Sequence, residues 1–316
     1  MMITDFAARL ATVFTGNGKL VILTYHRVLR ETDPVFDDIT SDMFKAHLSA
    51  LKHTFNVVRL DEAVRMLNSK CLPPRAVAIT FDDGYADNFE IALPILNDFQ
   101  MPATFFIASG FIDHGIMWND IVRCACKNAM ENEIRDYVSN HGMQSSDNVS
   151  RLRKQIMQKN LSALKYLPLG ERTEKARAFA EVMGQAESES LMMTWDQVAQ
   201  LPAYGVEVGA HTVNHPILTS ISVAEAEQEI RECRAALQDA TSQKISSFAY
   251  PNGNPATDYD ANHLRILREL GFDTAVTTRF ACAKYGDSPL ELPRLGLWDG
   301  HKTKAGFRLV DYFLRH

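Results

Sequence analysis

Short runs rich in apolar and β-branched residues recur along the chain, separated by longer stretches in which apolar residues return every three or four positions. That rhythm predicts buried strands joined by crossover helices. Residues 20–25, 76–81, 103–108, 206–208, 245–250, 274–277 and 292–297 supply the runs. Most are continuous rather than alternating, so the set is expected to be covered on both faces, as in a parallel sheet. Helix signals fill the gaps. Ser222 and Glu225 form a capping box ahead of an Ile230, Cys233, Leu237 stripe; Thr194 and Gln197 open a helix that ends near Pro202; and residues 259–270 close at Gly271. Strand and helix in alternation make an α/β chain with a parallel sheet or barrel.

One stretch breaks the rhythm. Residues 117–193 hold no strand pattern, much Lys, Arg and Glu, and several helical patterns such as 149–167. They read as a helical insertion between the third and fourth strands, so residues 1–316 are expected to form one barrel domain with that insertion. At 46% hydrophobic and 23% charged residues, the composition excludes a disordered, collagen-like or coiled-coil chain. The 33 basic against 39 acidic residues leave no surplus of positive charge, which argues against a nucleic-acid partner.

No run approaches the ~20 apolar residues of a membrane span. The N-terminus has no basic leader pattern, since Asp5 and Arg9 interrupt its apolar stretch, so a cytoplasmic location is expected. Ile3, Phe6, Ala7, Leu10, Val13 and Phe14 recur at helical spacing. Residues 3–14 therefore predict an amphipathic helix, either packed on its own domain or docked to a partner, a membrane surface or a lipid-linked sugar. Oligomeric state is not legible. Five cysteines, Cys71, Cys124, Cys126, Cys233 and Cys282, are too few for a disulfide scaffold, and the Cys124/Cys126 pair is expected to be two buried thiols on a helix.

Chemistry enters at two strand ends. The second strand runs into Asp82-Asp83-Gly84, which is either a turn with an Asp helix cap or a pair of carboxylates that a cation must compensate. The fourth runs into His211-Thr212-Val213-Asn214-His215, whose imidazoles share a side if the segment makes one helical turn. Each pattern alone is weak. Together they place two imidazoles and a carboxylate at the same end of one parallel set. That arrangement leaves coordination positions open, as catalytic metal sites do.

Thr80-Phe81-Asp82-Asp83-Gly84, His211 to His215, and Phe248-Ala249-Tyr250-Pro251-Asn252-Gly253, in this order, resemble the first three motifs of the polysaccharide deacetylases, the NodB-homology proteins of carbohydrate esterase family 4. Leu23 to Val28 is similar to the branch acting on poly-N-acetylglucosamine and other exopolysaccharides. The resemblance implies a distorted (β/α)7 barrel that removes N-acetyl groups from a sugar or polysaccharide. It implies Asp83, His211 and His215 as ligands of a divalent metal, usually zinc, and Asp82 as the general base. It also implies an oxyanion contact from the Asn252 backbone N–H, in the turn after Tyr250. Two other readings keep the fold: hydrolysis of another non-peptide C–N bond, or glycan binding without turnover.

The sequence departs from that family pattern in three places. Ala249 stands where an Arg normally orients the base, and Arg294, at the end of the last strand, is expected to replace it. Asn252 stands where an aromatic is usual. The Leu-x-His motif of the general acid is missing from the last strand. Leu314-Arg315-His316 has its letters only at the terminus, and His26 at the end of the first strand is the better-placed candidate, against a reading as a hydrogen-bonded structural His. Trp298-Asp299-Gly300-His301 could line a sugar site or form a plain turn. His47, His53, His114, His141 and His263 are expected to be non-catalytic, and Phe105 and Phe106 to be core.

Overall fold

The computed structural model describes residues 18–316, with positions 34, 36, 37, 186–189 and 256 aside. The expected helix over residues 3–14 lies outside the described residues. Seven segments carry the architecture: β1 (Lys19–Tyr25), β2 (Ala76–Phe81), β3 (Thr104–Ile107), β4 (Glu207–Ala210), β5 (Ser247–Ala249), β6 (Thr274–Val276) and β7 (Leu295–Gly296). β1 to β6 pair in parallel in chain order. The segment leading to β7 closes the ring: Thr277 N–H donates to the Leu292 carbonyl at 2.9 Å on the β6 side, while Leu295 pairs with Leu23 of β1. The chain forms the distorted (β/α)7 barrel.

Side-chain alternation divides the strands between two apolar layers. Leu20, Ile22, Ala78, Phe106, Ala249 and Val276 face one buried cluster together with Leu60, Ala63, Val64 and Leu67 of a helix spanning Leu60–Asn68. Val21, Leu23, Val77, Ile79, Phe81, Phe105 and Phe248 face the other, against the surrounding helices. Continuous burial on both faces is why these runs are mostly apolar, and the polar residues among them are bonded inside, as Thr104 Oγ1 is to the Glu207 carboxylate at 2.9 Å. Four two-residue strands were not legible, because so short a pairing leaves no pattern; one of them, Ala283–Lys284, runs antiparallel to β1.

The insertion is α-helical: α1 (Trp118–Asn128), α2 (Glu131–Asn140), α3 (Val149–Leu164) and α4 (Leu169–Val182). It has an apolar centre of its own, with Val122, Cys126, Ile134, Leu152, Ile156, Ala176 and Met183 fully buried. Arg153 ties α3 to the end of α1 by donating to the carbonyls of Lys127 and Ala129 at 2.9 and 2.6 Å. The two-thiol expectation is corrected: Cys126 is buried but Cys124 only half so, because residues two apart on a helix point in different directions. None of the five cysteines is in a disulfide among the described residues. No helix among the described residues is long and apolar enough to cross a membrane.

Gly209 shows how tightly β4 is packed. A Cβ there would come within 2.4–2.5 Å of the Phe106 ring, whose side chain is fully buried. Gly209→Ala is expected to lower stability by about 1–3 kcal/mol, the usual cost of overpacking. A melting temperature equal to that of the parent would show that Phe106 can move aside.

Candidate metal and active site

The site grows from the C-terminal ends of β2 and β4. The β1–β2 ladder continues one residue beyond the strand, with Asp82 N–H donating to the Tyr25 carbonyl at 2.9 Å. The chain then turns sharply through two left-handed residues, Asp83 at φ +76° and Gly84 at φ +94°. Gly84 is needed there twice over: for its φ, and because a Cβ would lie 3.1 Å from Ile107. The turn sends adjacent carboxylates to different partners.

Asp82 goes to Arg294. The guanidinium grips both carboxylate oxygens at 2.7 Å, and its other donors reach Thr80 Oγ1 at 3.2 Å and the Thr277 carbonyl at 3.1 Å. Both side chains are buried. Burial alone would push the Asp82 carboxyl up; the charge and hydrogen bonds of Arg294 outweigh it and hold the group below the usual carboxylate range. Ala249 belongs to the same interior as Phe106, and Arg294 passes 5.9 Å above the Phe106 ring. The guanidinium therefore comes from the segment beside β7, over a position where β5 offers only a methyl group.

Asp83 goes to the histidines. Its Oδ1 lies 3.5 Å from His211 Nε2 and 3.6 Å from His215 Nε2, and the two ring nitrogens are 3.2 Å apart. A single helical turn does not achieve this, contrary to the expectation. The segment bends through left-handed Thr212 and His215, at φ +66° and +50°. Glu229, on the helix Val223–Thr241, fixes that shape by accepting the backbone N–H groups of Val213 and Asn214 at 2.9 and 2.8 Å. Sequence reasoning missed Glu229, since it reads as one more polar position of a helix.

These three donors fit a metal ion. His211 Nδ1 donates to the Ala249 carbonyl at 2.7 Å, so the neutral ring keeps its Nε2 lone pair toward Asp83 and His215. Among the described residues this is the group of three or more ligand atoms close enough together to share an ion. Burial and neighbouring His211 pull His215 down to about 3. Burial opposes a charge on His211 as well, but Asp83 and Asp82 outweigh it and raise that ring. A proton is thus attracted to the place where the three ligand atoms meet.

The remaining candidates divide. His26 lies 4.0 Å from Asp82 and its side chain is 56% exposed, at the rim of the same cavity. Asn252 sits at φ +63° with its side chain on Asp258, and its backbone N–H has no acceptor among the described residues. Tyr250, expected with Asn252 as a substrate or oxyanion contact, lines the same cavity. Its ring stacks on Tyr259 at 3.9 Å and its hydroxyl donates to the Leu290 carbonyl at 3.0 Å, so its donor is spent in the core. Trp298, for which a sugar-lining role and a plain turn were both open, is not in the lining of this cavity; it is half exposed beside Arg308, which pairs with Asp299. His316 packs on Phe280 and Tyr312, away from the site. His47 is buried between the Tyr25 hydroxyl and the Asp299 carbonyl.

The cavity holding Asp82, Asp83, His211 and His215 has a volume of about 540 Å³. Its far wall is the insertion: Trp118, Asn119 and Arg123 from α1, Ser162 at the end of α3 with Lys165 after it, and Arg172 from α4. Asp120 lies deeper in that wall, where burial pushes it up to about 6 and the Tyr85 hydroxyl donates to it at 3.0 Å. None of these insertion residues was singled out by the sequence, since they meet the barrel only through the fold.

Three comparisons bear on this geometry. The profile of the polysaccharide deacetylases matches residues 69–275, well over half the chain. The poly-β-1,6-N-acetyl-D-glucosamine N-deacetylase of Staphylococcus epidermidis is 30% identical over 105 residues, 28% of this chain and 36% of that protein. Two solved structures superpose over nearly the whole chain. The deacetylase PplD of Streptococcus pyogenes has a TM-score of 0.62 at 19% identity, covering 93% of this chain and 98% of that one. IcaB of Ammonifex degensii has a TM-score of 0.61 at 20% identity, covering 94% and 97%.

Removing the guanidinium tests the pairing. Arg294→Gln leaves Asp82 buried and uncompensated, at a cost of about 3–5 kcal/mol near pH 7. In the parent the lowered Asp82 stabilises the fold above the unfolded carboxyl range near pH ~4 and loses that contribution as pH falls through its folded value. In the variant Asp82 is raised instead, so the penalty should shrink between pH ~7 and ~5 as the carboxyl takes up a proton. Thermal melts of both proteins in chelator at the two pH values decide it; a penalty independent of pH would mean that Arg294 acts by packing alone.

Proposed function

This chain belongs to the polysaccharide deacetylase family, and from that premise we propose that it is a divalent-metal hydrolase removing the acetyl group from an N-acetylated sugar, in a surface polysaccharide or its precursor. The observation that carries the reading is the division of labour at Asp82-Asp83. One carboxylate is committed to a guanidinium, and its neighbour faces two imidazoles.

Asp83, His211 and His215 would hold the ion, and a donor set of two nitrogens and one carboxylate oxygen suits zinc. Bound there, such an ion supplies Lewis-acid polarisation of the acetyl carbonyl and makes water a competent nucleophile near neutral pH. The protein's own groups do the rest. Asp82, held ionised and oriented by Arg294, takes the proton from the attacking water. Arg294 also restrains Asp82 from rotating toward the ligand set, since both its carboxylate oxygens are occupied. The Asn252 backbone N–H donates to the acetyl oxygen as charge builds on it. His26, open to solvent at the rim, delivers a proton to the departing amine nitrogen, so that the amide C–N bond breaks to acetate and a free amine.

Acetate release from N-acetylglucosamine oligomers, with and without chelator, tests the reaction. Asp82→Asn should cost on the order of 10²–10⁴-fold in turnover with metal content nearly unchanged. His215→Ala should lose the metal itself. If Asp82→Asn loses metal as readily as His215→Ala, the division of labour is wrong. Because His211 attracts a proton that an ion must displace, zinc affinity should also weaken as pH falls from ~8 to ~6. An affinity constant across that range would place the ion elsewhere.

A further inference from the structure

The cavity wall contributed by the insertion carries charge that the deacetylation reaction does not use. Three of the cations around the cavity have carboxylate partners. Arg27 pairs with Asp87 at 2.8 Å, Arg123 with Asp38 at 2.5 Å, and Arg294 with Asp82. Arg172 and Lys165 have none within ion-pair distance among the described residues.

Arg172 is the unusual one. It is 2% exposed, and its guanidinium donates only to two backbone carbonyls, those of Lys165 at 3.3 Å and His215 at 3.2 Å. It lies 5.0 Å from the Trp118 ring, and its Nε has no acceptor among the described residues. Carbonyls and a ring face solvate a cation but do not neutralise it, and an isolated buried charge is costly. Lys165 is half-buried on the same wall, with only the Tyr166 ring beside its ammonium at 5.4 Å. The bond from Arg172 to the Lys165 carbonyl ties the two together. Asp120, the remaining buried acid of this wall, is engaged by Tyr85. Five cations, Arg27, Arg123, Lys165, Arg172 and Arg294, thus face five carboxylates, Asp38, Asp82, Asp83, Asp87 and Asp120, and a divalent ion at Asp83, His211 and His215 would tip that balance to positive.

Building on the deacetylase reading, we propose that the insertion selects an N-acetylated sugar carrying an anionic group, phosphate or carboxylate, with Lys165 contacting that group and Arg172 supplying buried positive charge behind it. A neutral glycan leaves both cations uncompensated when it displaces water from the cavity. An anionic one brings the missing charge to them. A lysine ammonium is a point charge without a fixed fork, so it accepts either anion. Arg172 is a positioning residue in this account, because its guanidinium is too enclosed to be the contact and it also holds the backbone of His215.

The test uses the full chain loaded with zinc and three probes: a neutral methyl glycoside of N-acetylglucosamine, N-acetylglucosamine 1-phosphate, and N-acetylmuramic acid. Calorimetry should show at least one acidic sugar binding about tenfold more tightly than the neutral one, roughly the size of one charge-assisted hydrogen bond. That preference should fade in ~0.5 M salt, where the Debye length is only a few ångströms. Comparing the two acids shows which anion is meant. Lys165→Gln should remove most of the preference and Lys165→Arg should restore it, a rescue that a merely structural lysine would not give. Equal affinity for all three probes, or a preference that survives Lys165→Gln, overturns the proposal. The deacetylase reading is tested separately by acetate release: acetate from the neutral oligomer with no anion preference leaves that reading standing and sinks this one. A Lys165-dependent preference without acetate from any substrate does the reverse.

Discussion

The site depends on one constraint: two adjacent carboxylates at the mouth of a barrel cannot share one task. Both Asp82 and Asp83 are buried. Left together beside a cation, both would be drawn to it, and neither would remain a base. The left-handed turn at Asp83 and Gly84 separates them, and the bidentate bond from Arg294 fixes the separation. A buried ion pair of this kind adds little net stability, because desolvation offsets most of the attraction. Its value lies in geometry, since it holds one oxygen pair ionised and in place.

The histidines obey a related constraint. Two rings meet at 3.2 Å only because the chain between them bends through left-handed residues. Glu229 and the close approach of Gly110, where a Cβ would meet Val213 at 2.8 Å, leave that bend little freedom. On the other side Arg172 binds the His215 carbonyl, so the insertion grips the same loop that would hold the metal. Substrate wall and metal ligand are therefore mechanically joined. Movement of α4 would be felt at His215.

Much of this was legible in the sequence. The strands were, because runs such as residues 76–81 are buried on both faces and no charged residue interrupts them. The carboxylates and imidazoles were, because charge at the end of a buried strand demands a partner. Arg294 could be reasoned toward from the lack of an arginine at Ala249. What stayed hidden depends on backbone torsions and distant contacts. The His211 to His215 segment carries no glycine to announce its left-handed residues. Tyr250 lines the cavity, but that its ring rests on Tyr259 and its hydroxyl on the Leu290 carbonyl could not be read from the sequence. Lys165 and Arg172 read as ordinary polar helix positions, and only the packing of the insertion against the barrel brings them to the cavity.

The central claim is that Asp83 and the two histidines hold an ion while Arg294 keeps Asp82 out of its shell. Anomalous diffraction at the zinc edge, from crystals grown with zinc, addresses it directly. The account predicts one peak per chain bonded to Asp83, His211 and His215, with the Asp82 carboxylate still gripped by Arg294. A peak at another cluster, or an Asp82 that has left Arg294 to bind the ion, would contradict it.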